Sequence, residues 1–306
     1  MLLFPALQRI ATSTAYSPGH ISGTVKTANF PQEQILRRGS EGVGISIDRG
    51  ALTTVNLFRS HIFGFQVSIN GRRTAEAEVS ELVIMQYLNL ITKPCFLKVD
   101  HRIDLPIGYG LGTSGAAALS LSYALNKCFQ MGLSSERAAQ IAHYAEVVCG
   151  TGLGTVIGEY AGGFECRAVA GAPGIGVIRK ISLEGSRAVI LCRSPISTKD
   201  ILREQHHFGR SWSEHGLSTP LRISNLKNFL DESYAFVSHH GLVDGQSKEI
   251  ISSLSSHGFA SSVALFGKTI FTIVPKEKAR QAVSCLSECQ GQIIMCGIDN
   301  IGARVL

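Results

Sequence analysis

Apolar and polar residues alternate with two periods along the chain, and the period changes several times. A period of two, typical of half-buried strands, predicts strands at residues 43–47, 52–58, 61–69 and 95–103. Turn-forming residues separate them: Asn70-Gly71 ends the third strand, and Asp48-Arg49-Gly50 is predicted to connect the first two. Ser17-Pro-Gly-His20 is likewise predicted to be a turn after a short strand. A period near 3.6 predicts a helix over residues 76–91.

The later part of the chain alternates between the two periods more regularly. Helices are predicted at residues 134–148, 199–205, 223–238, 247–256 and 276–290, and strands at 164–169, 188–192, 261–266, 269–274 and 292–297. This order suits a small antiparallel sheet covered by helices on one face. Glycines crowd residues 161–176, which favours a hinge. We therefore expect an α+β fold with two domains, residues 1–172 and 173–306.

The most distinctive stretch is Pro106-Ile-Gly-Tyr-Gly-Leu-Gly-Thr-Ser-Gly-Ala116, which opens onto an alanine-rich predicted helix. Glycines tolerate positive φ and keep side chains away from a ligand. The first turn of a helix adds unpaired N–H groups and about half a positive charge, so the stretch predicts a phosphate-binding loop. It is not a Walker loop, because no Lys-Ser or Lys-Thr follows the glycines. The preceding strand, residues 98–104, is too polar for a dinucleotide fingerprint.

Composition narrows the class of ligand. The 306 residues are 44% hydrophobic and 17% charged, as in globular proteins with enough chain for two domains. The net charge of +6 suits small anionic substrates, whereas the dispersed basic residues argue against nucleic acid. Eight cysteines without a Cys-x-x-Cys pair predict reduced thiols in a cytoplasm. Because no apolar stretch reaches about 18 residues, we expect no membrane span.

The glycine-rich stretch resembles the phosphate-binding motif of the GHMP kinases, a family that includes galactokinase and the homoserine, mevalonate and phosphomevalonate kinases. Further segments narrow the resemblance to the archaeal branch that acts on pantoate: Ala15 to Gly23, Arg38 to Gly44 with Asp48 to Gly50, Gly150 to Gly154, and Gly171 to Gly174. The resemblance covers most of residues 15–180. It implies a mixed-sheet N-terminal domain, a ferredoxin-like C-terminal domain, and an active site in the cleft between them.

The resemblance also implies the chemistry, which is ATP-dependent phosphorylation of the primary hydroxyl of (R)-pantoate. The residues implied to hold ATP are Pro106, Gly108, Tyr109, Gly110, Leu111, Gly112, Thr113, Ser114, Gly115 and Ala116. Ser114 and Glu146 are implied to bind Mg²⁺. Glu146 lies in the last turn of a predicted helix, at the negative end of its dipole, where a cation should offset its charge. A hydroxyl and a carboxylate are normal Mg²⁺ ligands.

The resemblance also implies which residues form the substrate side of the site. The residues expected to surround the substrate are Ser17, His20, Arg38, Arg49, Gly150, Thr151 and Gly152. Arg49 would clamp a carboxylate through its planar guanidinium, with Arg37 and Arg38 as rivals for that job. His20, where several relatives have lysine, would donate to a phosphate or a hydroxyl, although an imidazole is charged only part of the time near neutrality.

Thr155 departs from the family pattern. Many GHMP kinases carry an aspartate here, taken to orient or deprotonate the attacking hydroxyl, and threonine cannot be a general base at neutral pH. With His20, Ser114, Glu146 and Thr155 as the candidate catalytic residues, the proton would leave late, to a phosphate oxygen or water. Two alternatives stay open: a kinase for another acceptor such as homoserine or mevalonate, and a silent nucleotide-binding relative. A homodimer is compatible with the sequence.

Overall fold

The computed structural model describes residues 8–181, 183–196, 225–265 and 267–306. The first part of the chain contains strands β1 (Arg9–Ala28), β2 (Gly39–Arg59), β3 (Gly64–Ile69), β4 (Arg72–Thr74), β5 (Cys95–Ile103), β6 (Phe164–Val169) and β7 (Val177–Ile181). Its helices are α1 (Glu78–Leu88), α2 (Thr113–Cys128), α3 (Ser135–Cys149) and α4 (Thr155–Ala161). The second part contains β8 (Ser186–Ser194), α5 (Leu226–His239), α6 (Gly245–Ser256), β9 (Ser262–Val263), β10 (Lys268–Pro275), α7 (Ala279–Leu286), β11 (Gln292–Gly297) and β12 (Arg304–Val305).

The first sheet is built on two long paired strands, β1 and β2. The order of strands is β12-β1-β2-β5-β3-β4, and β6 and β7 continue from one end of β2. Among the strands of this sheet that the structure describes, only β3 and β5 pair in parallel, so the sheet is mixed, as predicted. β2 pairs with β5 along residues 51–59 and with β6 along residues 42–45, so the sheet forks at the middle of β2.

The two turns predicted at residues 17–20 and 48–50 are wrong. β1 and β2 run through both segments without a break, and Pro18 lies opposite Gly50 at a register shift in their pairing. The extra residues of this bulge are Asp48 and Arg49 on β2, which lie between Ile47, opposite Gly19, and Gly50, opposite Pro18. These residue types usually form turns, but in this chain they lie within a continuous pair of strands.

Helix α2 lies at the centre of the first core. Ala116, Ala117 and Ala118 are small enough for α2 to pack closely on β1 and β2, and almost every residue of the helix is buried. α3 begins as predicted, with the Ser134 hydroxyl accepting a hydrogen bond from the Arg137 amide at 3.2 Å. It ends at Gly150, which has a φ of 64°. α3 packs on α2, so the two helices are held against each other.

The second sheet is antiparallel throughout, in the order β11-β8-β10-β9, which confirms the small antiparallel sheet predicted for this half. Alternate residues of β8 face opposite sides: Val189 and Leu191 pack with α5, α6 and α7, whereas Ala188 and Ile190 pack with the first sheet. Both faces are buried, which explains why β8 is apolar without alternation. The predicted helix at 199–205 lies outside the described residues. Among those described, no helix is long and apolar enough to cross a membrane.

The end of the chain returns to the first sheet. Gly297 donates its amide hydrogen to Asp48 Oδ1 at 2.8 Å, and β12 pairs with β1. Between these points, the Ala303 amide donates to the Glu159 carbonyl of α4 at 3.0 Å. β7, beyond residue 172, also belongs to the first sheet. The division of the chain at 172/173, and the ferredoxin-like description of the second half, stay predictions.

Candidate active site

The glycine loop between β5 and α2 has the conformation that its sequence predicts. Gly108, Gly110 and Gly112 have φ angles of 87°, 72° and 69°, in the region that favours glycine. Gly112 is the residue immediately before α2. The first helical hydrogen bond joins the Ala116 amide to the Gly112 carbonyl at 3.0 Å, and the N–H groups before it have no partner within the helix. These amides and the positive helix end form an anion-binding surface.

Hydrogen bonds to the loop carbonyls hold it from both halves of the molecule. The His20 amide donates to Leu111 O at 3.0 Å, and the Ile196 amide donates to Gly108 O at 2.7 Å. The Thr269 hydroxyl donates to Tyr109 O at 2.7 Å. Because these carbonyls have partners in the protein, the loop is fixed before any ligand arrives, which is the preorganisation that phosphate binding requires.

The loop rests directly on α4, so that two of its glycines leave no room for a side chain. A Cβ at Gly112 would lie 2.6 Å from Glu159 Oε1 and 3.0 Å from the His20 amide nitrogen. A Cβ at Gly115 would lie 2.7 Å from Glu159 Oε2 and 2.8 Å from Thr155 Oγ1. The predicted loop and the predicted catalytic threonine are therefore adjacent.

Ser114 and Glu146 are brought together, as expected of a pair that binds a metal. Ser114 Oγ donates to Glu146 Oε1 at 2.5 Å, and Thr151 Oγ1 donates to the same oxygen at 2.7 Å. Glu146 is 2% exposed. Burial raises the pKa of its carboxyl, and the hydrogen bonds from Ser114 and Thr151 partly offset that rise.

The chemistry of this donor set fits Mg²⁺. A serine hydroxyl and a glutamate carboxylate supply hard oxygen ligands beside a phosphate-binding helix end. No group of three or more His, Cys, Asp or Glu side chains that could hold a metal occurs in the described part of the chain. An ion here would therefore complete its shell with phosphate oxygens and water, which is the usual arrangement for Mg²⁺ in phosphoryl-transfer sites.

Two cavities meet at the glycine loop. One, of about 320 Å³, is lined by Gly108, Gly110 to Gly115, Glu146, Thr151 to Thr155, Ser22, Val25, Ser40, Ile107, Ile196 and Leu265. The other, of about 580 Å³, is lined by Ile69, Glu76 to Ser80, Ile103, Ile107, Thr113, Ser114, Ala117 and Thr151. We call the first the cleft and the second the side cavity. They share Ile107, Thr113, Ser114 and Thr151, so a ligand on the loop can extend into both.

The predicted substrate residues divide into two groups. Thr151, Gly152 and Thr155 line the cleft. Ser17, Arg38 and Arg49 do not: Ser17 is fully buried, and its hydroxyl donates to Pro18 O at 3.4 Å. Arg38 Nε donates to Phe30 O at 2.6 Å, and Arg49 is exposed on β2. The predicted residues Gly150, Pro106, Tyr109 and Ala116 do not line the cleft either.

His20 is fully buried, which rules out a turn histidine facing solvent. Its Nε2 lies 2.9 Å from Glu165 Oε1, and its Nδ1 lies 3.3 Å from Ser22 Oγ. Ser22 in turn lines the cleft. The imidazole therefore meets the cleft through a hydroxyl and not directly.

Sequence reasoning missed three buried charged residues behind the cleft: Glu159, Glu165 and Arg167. Arg167 forms an ion pair with Glu165 Oε1, and its Nε, which has no hydrogen-bond partner among the described residues, lies 3.3 Å from where a Cβ at Gly154 would be. Both Glu159 oxygens also lack a partner within the described chain. Burial, Glu146 and Glu165 raise the pKa of Glu159 well above its usual range.

A signal for these residues was present in the sequence. Glu165 and Arg167 alternate with apolar residues in Phe164–Val169, directly after Gly162-Gly163. Two charges on one face of a short strand indicate either a solvated face or a buried pair. Only the packing of β6 beside β2 decides in favour of the buried pair.

Comparison with known proteins agrees with this arrangement. Residues 78–163 match the profile of the GHMP kinases N terminal domain. The chain is 32% identical over 277 residues to a pantoate kinase of Methanocaldococcus jannaschii, covering 89% of this chain and 96% of the relative. It is 33% identical over 295 residues to a pantoate kinase of Thermococcus kodakarensis, covering 90% and 91%. The chain belongs to the GHMP kinases. Within them it is a member of the group that contains these archaeal pantoate kinases.

Solved structures show the same fold. A phosphotransferase related to the CoA biosynthesis pathway superposes with a TM-score of 0.85 at 28% identity, covering 96% of this chain and 98% of the other. A homoserine kinase from Cytophaga hutchinsonii has a TM-score of 0.69 at 16% identity and covers all of both chains. The second comparison supports the fold alone. Together they confirm the α+β fold predicted from the sequence.

Proposed function

We propose that this protein transfers the terminal phosphate of ATP to the primary hydroxyl of (R)-pantoate, giving 4-phosphopantoate for coenzyme A synthesis. The observation that carries the proposal is the Ser114–Glu146 hydrogen bond at the positive end of α2, in the wall of the same cleft as Thr155. It brings a phosphate site, a metal-ligand pair and an acceptor cavity to one place. The names of the archaeal relatives support pantoate as the acceptor.

The phosphates of ATP would bind the amides that open α2, and the loop carbonyls already have protein partners that hold the amides in position. The nucleoside would extend into the side cavity, which begins at Thr113 and Ser114 and has apolar walls at Ile69, Ile103 and Ile107. The acceptor would then take the cleft on the other side of the loop. Transfer of the phosphoryl group from ATP to the acceptor, past Ser114, depends mainly on how the two substrates are placed.

Mg²⁺ would be held by Ser114 Oγ and Glu146, and when bound it supplies charge stabilisation to the transferring phosphoryl group. The Thr151 hydroxyl fixes the same Glu146 oxygen at 2.7 Å. Gly152 is required beside it, because a Cβ there would lie 2.3 Å from Glu146 Oε2. The glycine at position 152 therefore leaves room for the Glu146 carboxylate.

The cleft suits a small branched hydroxy acid. Val25, Leu153, Ile196 and Leu265 give it an apolar wall that would contact the two methyl groups of pantoate. Arg167 is our candidate for its carboxylate, in place of Arg38 and Arg49, because its Nε has no partner among the described residues and lies beside Gly154 of the cleft.

A coupled assay of ADP release tests the proposal. We expect (R)-pantoate to stimulate Mg²⁺-dependent ADP formation, with 4-phosphopantoate identified by mass spectrometry, and homoserine and mevalonate to have little effect. Stimulation by either of those acceptors and not by pantoate would assign another substrate. Nucleotide binding by calorimetry without turnover for any acceptor would instead favour a silent relative.

The cellular context follows from the same proposal. No disulfide joins any of the eight cysteines, all of which are described, and this supports a reducing compartment such as the cytoplasm. A homodimer is a separate hypothesis, which sedimentation of the purified chain tests directly.

A further inference from the structure

A chain of hydrogen bonds runs from the cleft into the buried interior through Ser22, His20 and Glu165. Ser22 lines the cleft, whereas His20 and Glu165 are both fully buried. Ser22 Oγ lies 3.3 Å from His20 Nδ1, and His20 Nε2 lies 2.9 Å from Glu165 Oε1. We call these three side chains the relay. A hydroxyl, an imidazole and a carboxylate in this order can move a proton inward from the cleft.

The fold makes specific provision for the relay. His20 and Ser22 are two apart on β1, so their side chains share a face of the strand. Ser22 lies opposite Gly44 on β2, and Gly44 lies opposite Glu165 on β6, so one line across three strands connects the ends of the relay.

Two glycines create the space for the imidazole. A Cβ at Gly44 would lie 2.3 Å from His20 Cε1, and a Cβ at Gly158 of α4 would lie 2.6 Å from His20 Nε2. Neither glycine has a positive φ, so the backbone conformation does not require glycine at either position. Glycine is needed at both positions because a side chain there would occupy the space of the His20 ring.

The partners of the imidazole indicate which nitrogen carries the hydrogen. A carboxylate can only accept, so Nε2–H donates to Glu165 Oε1 and Nδ1 is left to accept from the Ser22 hydroxyl. The Arg167 guanidinium, on the same strand as Glu165, binds the same carboxylate oxygen and holds it in place. Its Nη1 also lies 3.5 Å from His20 Nε2, and the carboxylate, at 2.9 Å, is the nearer partner of that nitrogen. From α4, the other charged group near the ring is Glu159, which adjoins Gly112 and Gly158.

Neither Thr155 nor Glu159 is a better proton acceptor than the relay. Thr155 lines the cleft, but a threonine hydroxyl is not a base at neutral pH. Glu159 is fully buried beneath the glycine loop and does not line the cleft. Ser22 is the cleft residue whose hydroxyl is hydrogen-bonded to an imidazole.

We propose that the relay takes the proton of the acceptor hydroxyl in this chain, where threonine stands at position 155. As the acceptor oxygen bonds to the terminal phosphorus and the bond from phosphorus to the ADP oxygen breaks, the acceptor proton passes to Ser22 Oγ. The proton of Ser22 moves to His20 Nδ1, and the imidazolium is stabilised by Glu165. The proton returns through Ser22 to water after the product leaves. This inference rests on the proposed kinase function.

Substitution of Ser22 tests the relay by kinetics. We expect Ser22→Ala to lower kcat by about 100-fold, with KM values for ATP and acceptor changed by less than about threefold. Ser22→Thr keeps the hydroxyl and should retain most of the activity, and the exposed Ser252→Ala serves as the control. An unchanged kcat, or a loss of kcat that Ser22→Thr does not rescue, would overturn the relay and favour late proton loss to a phosphate oxygen.

Nitrogen NMR of the unaltered chain tests the relay independently of activity. With ¹⁵N-labelled histidine, we expect His20 to carry its hydrogen on Nε2 near neutral pH, with Nδ1 unprotonated. His20→Gln assigns the signal among ten histidines, and the shift caused by Ser22→Ala assigns it if that variant does not fold. A hydrogen on Nδ1 would overturn the relay. Absence of pantoate-stimulated ADP release would contradict the proposed substrate alone, because the tautomer is read without any acceptor.

Discussion

Ser114 Oγ donates a 2.5 Å hydrogen bond to Glu146 Oε1, which joins the first turn of α2 to the last turn of α3. Glu146 is buried at the negative end of α3, where a carboxylate is disfavoured by about 0.3–1 kcal/mol. Burial also raises the pKa of this carboxyl. Both effects disfavour a charged carboxylate at this position, which indicates that Glu146 serves a function at a cost in stability. Binding of a cation would be such a function.

Replacement of Glu146 by glutamine should separate function from stability. The amide keeps an acceptor for Ser114 and Thr151 but loses the charge that would hold Mg²⁺. We expect Glu146→Gln to lower kcat by about 100-fold or more, while the urea midpoint of unfolding stays equal or rises. The exposed Glu249→Gln on α6 is the matched control. Equal turnover in Glu146→Gln and the unaltered chain would reject the metal assignment.

The glycine loop allows a second comparison, because the chain contains two glycines with nearly the same φ angle. Gly112 has a φ of 69° and Gly132 a φ of 66°, but nothing lies within 4 Å of a Cβ at Gly132. Alanine should cost about 1–2 kcal/mol of unfolding free energy at either site. Only Gly112→Ala should also displace Glu159 and the His20 amide, and weaken binding of an ATP analogue by at least about tenfold.

Calorimetric titration of the two variants with a non-hydrolysable ATP analogue measures this difference, and urea unfolding measures the shared strain. Equal affinity in Gly112→Ala and Gly132→Ala would show that the loop does not hold the phosphates.

The glycine loop and the unusual position of Glu146 could be predicted because each depends on a local signal, whereas the pairing of Glu146 with Ser114 was implied by the family resemblance. Positive φ at Gly108, Gly110 and Gly112 follows from a glycine-rich stretch before a helix, and the structure confirms it. Glu146 was recognisable because a carboxylate in the last turn of a helix conflicts with the dipole. These signals come from residues that are neighbours along the chain, so they do not depend on contacts with distant segments.

The position of His20 could not be predicted, because pairing with a distant strand overrides the local turn chemistry. Ser17-Pro-Gly-His20 contains typical turn residues, yet each of them pairs with β2, and the extra residues of the bulge, Asp48 and Arg49, lie on β2. Glu159 was missed for a similar reason: it is buried beneath a loop about 45 residues earlier in the chain. Burial of charge depends on contacts between distant segments, and the periodicity of a short helix does not encode them.

The threonine at position 155 leads to a prediction about restoring the family's aspartate. Thr155 Oγ1 and Glu159 Oε2 lie 2.8 and 2.7 Å from one point, the position of a Cβ at Gly115. An aspartate at 155 would therefore stand beside Glu159, and like charges disfavour ionisation of both. We expect Thr155→Asp alone to raise kcat by less than about tenfold, and addition of Glu159→Gln to raise it further.

A double-mutant cycle on kcat, with Thr155→Asp, Glu159→Gln and their combination, measures the coupling. A large rise in Thr155→Asp alone would show that the natural chain is impaired at this position and that Glu159 does not oppose the new charge.

His101 provides a test of the core by pH. Its ring is buried between Thr53 and Ser80, with Nδ1 2.8 Å from Thr53 Oγ1 and Nε2 3.1 Å from Ser80 Oγ. Burial lowers the pKa of His101 to about 4. The unfolded chain, with an ordinary pKa near 6.5, therefore binds the proton first, so stability is fully present above about pH 6.5 and is lost as the pH falls towards 4.

Between pH 7 and pH 5 we expect His101→Asn to lose about 2 kcal/mol less unfolding free energy than the unaltered chain. His61→Asn, at an exposed histidine, should follow the unaltered chain. Urea unfolding at each pH measures the difference, in which the contributions of the other buried groups cancel, and parallel losses in all three chains would contradict a neutral buried His101.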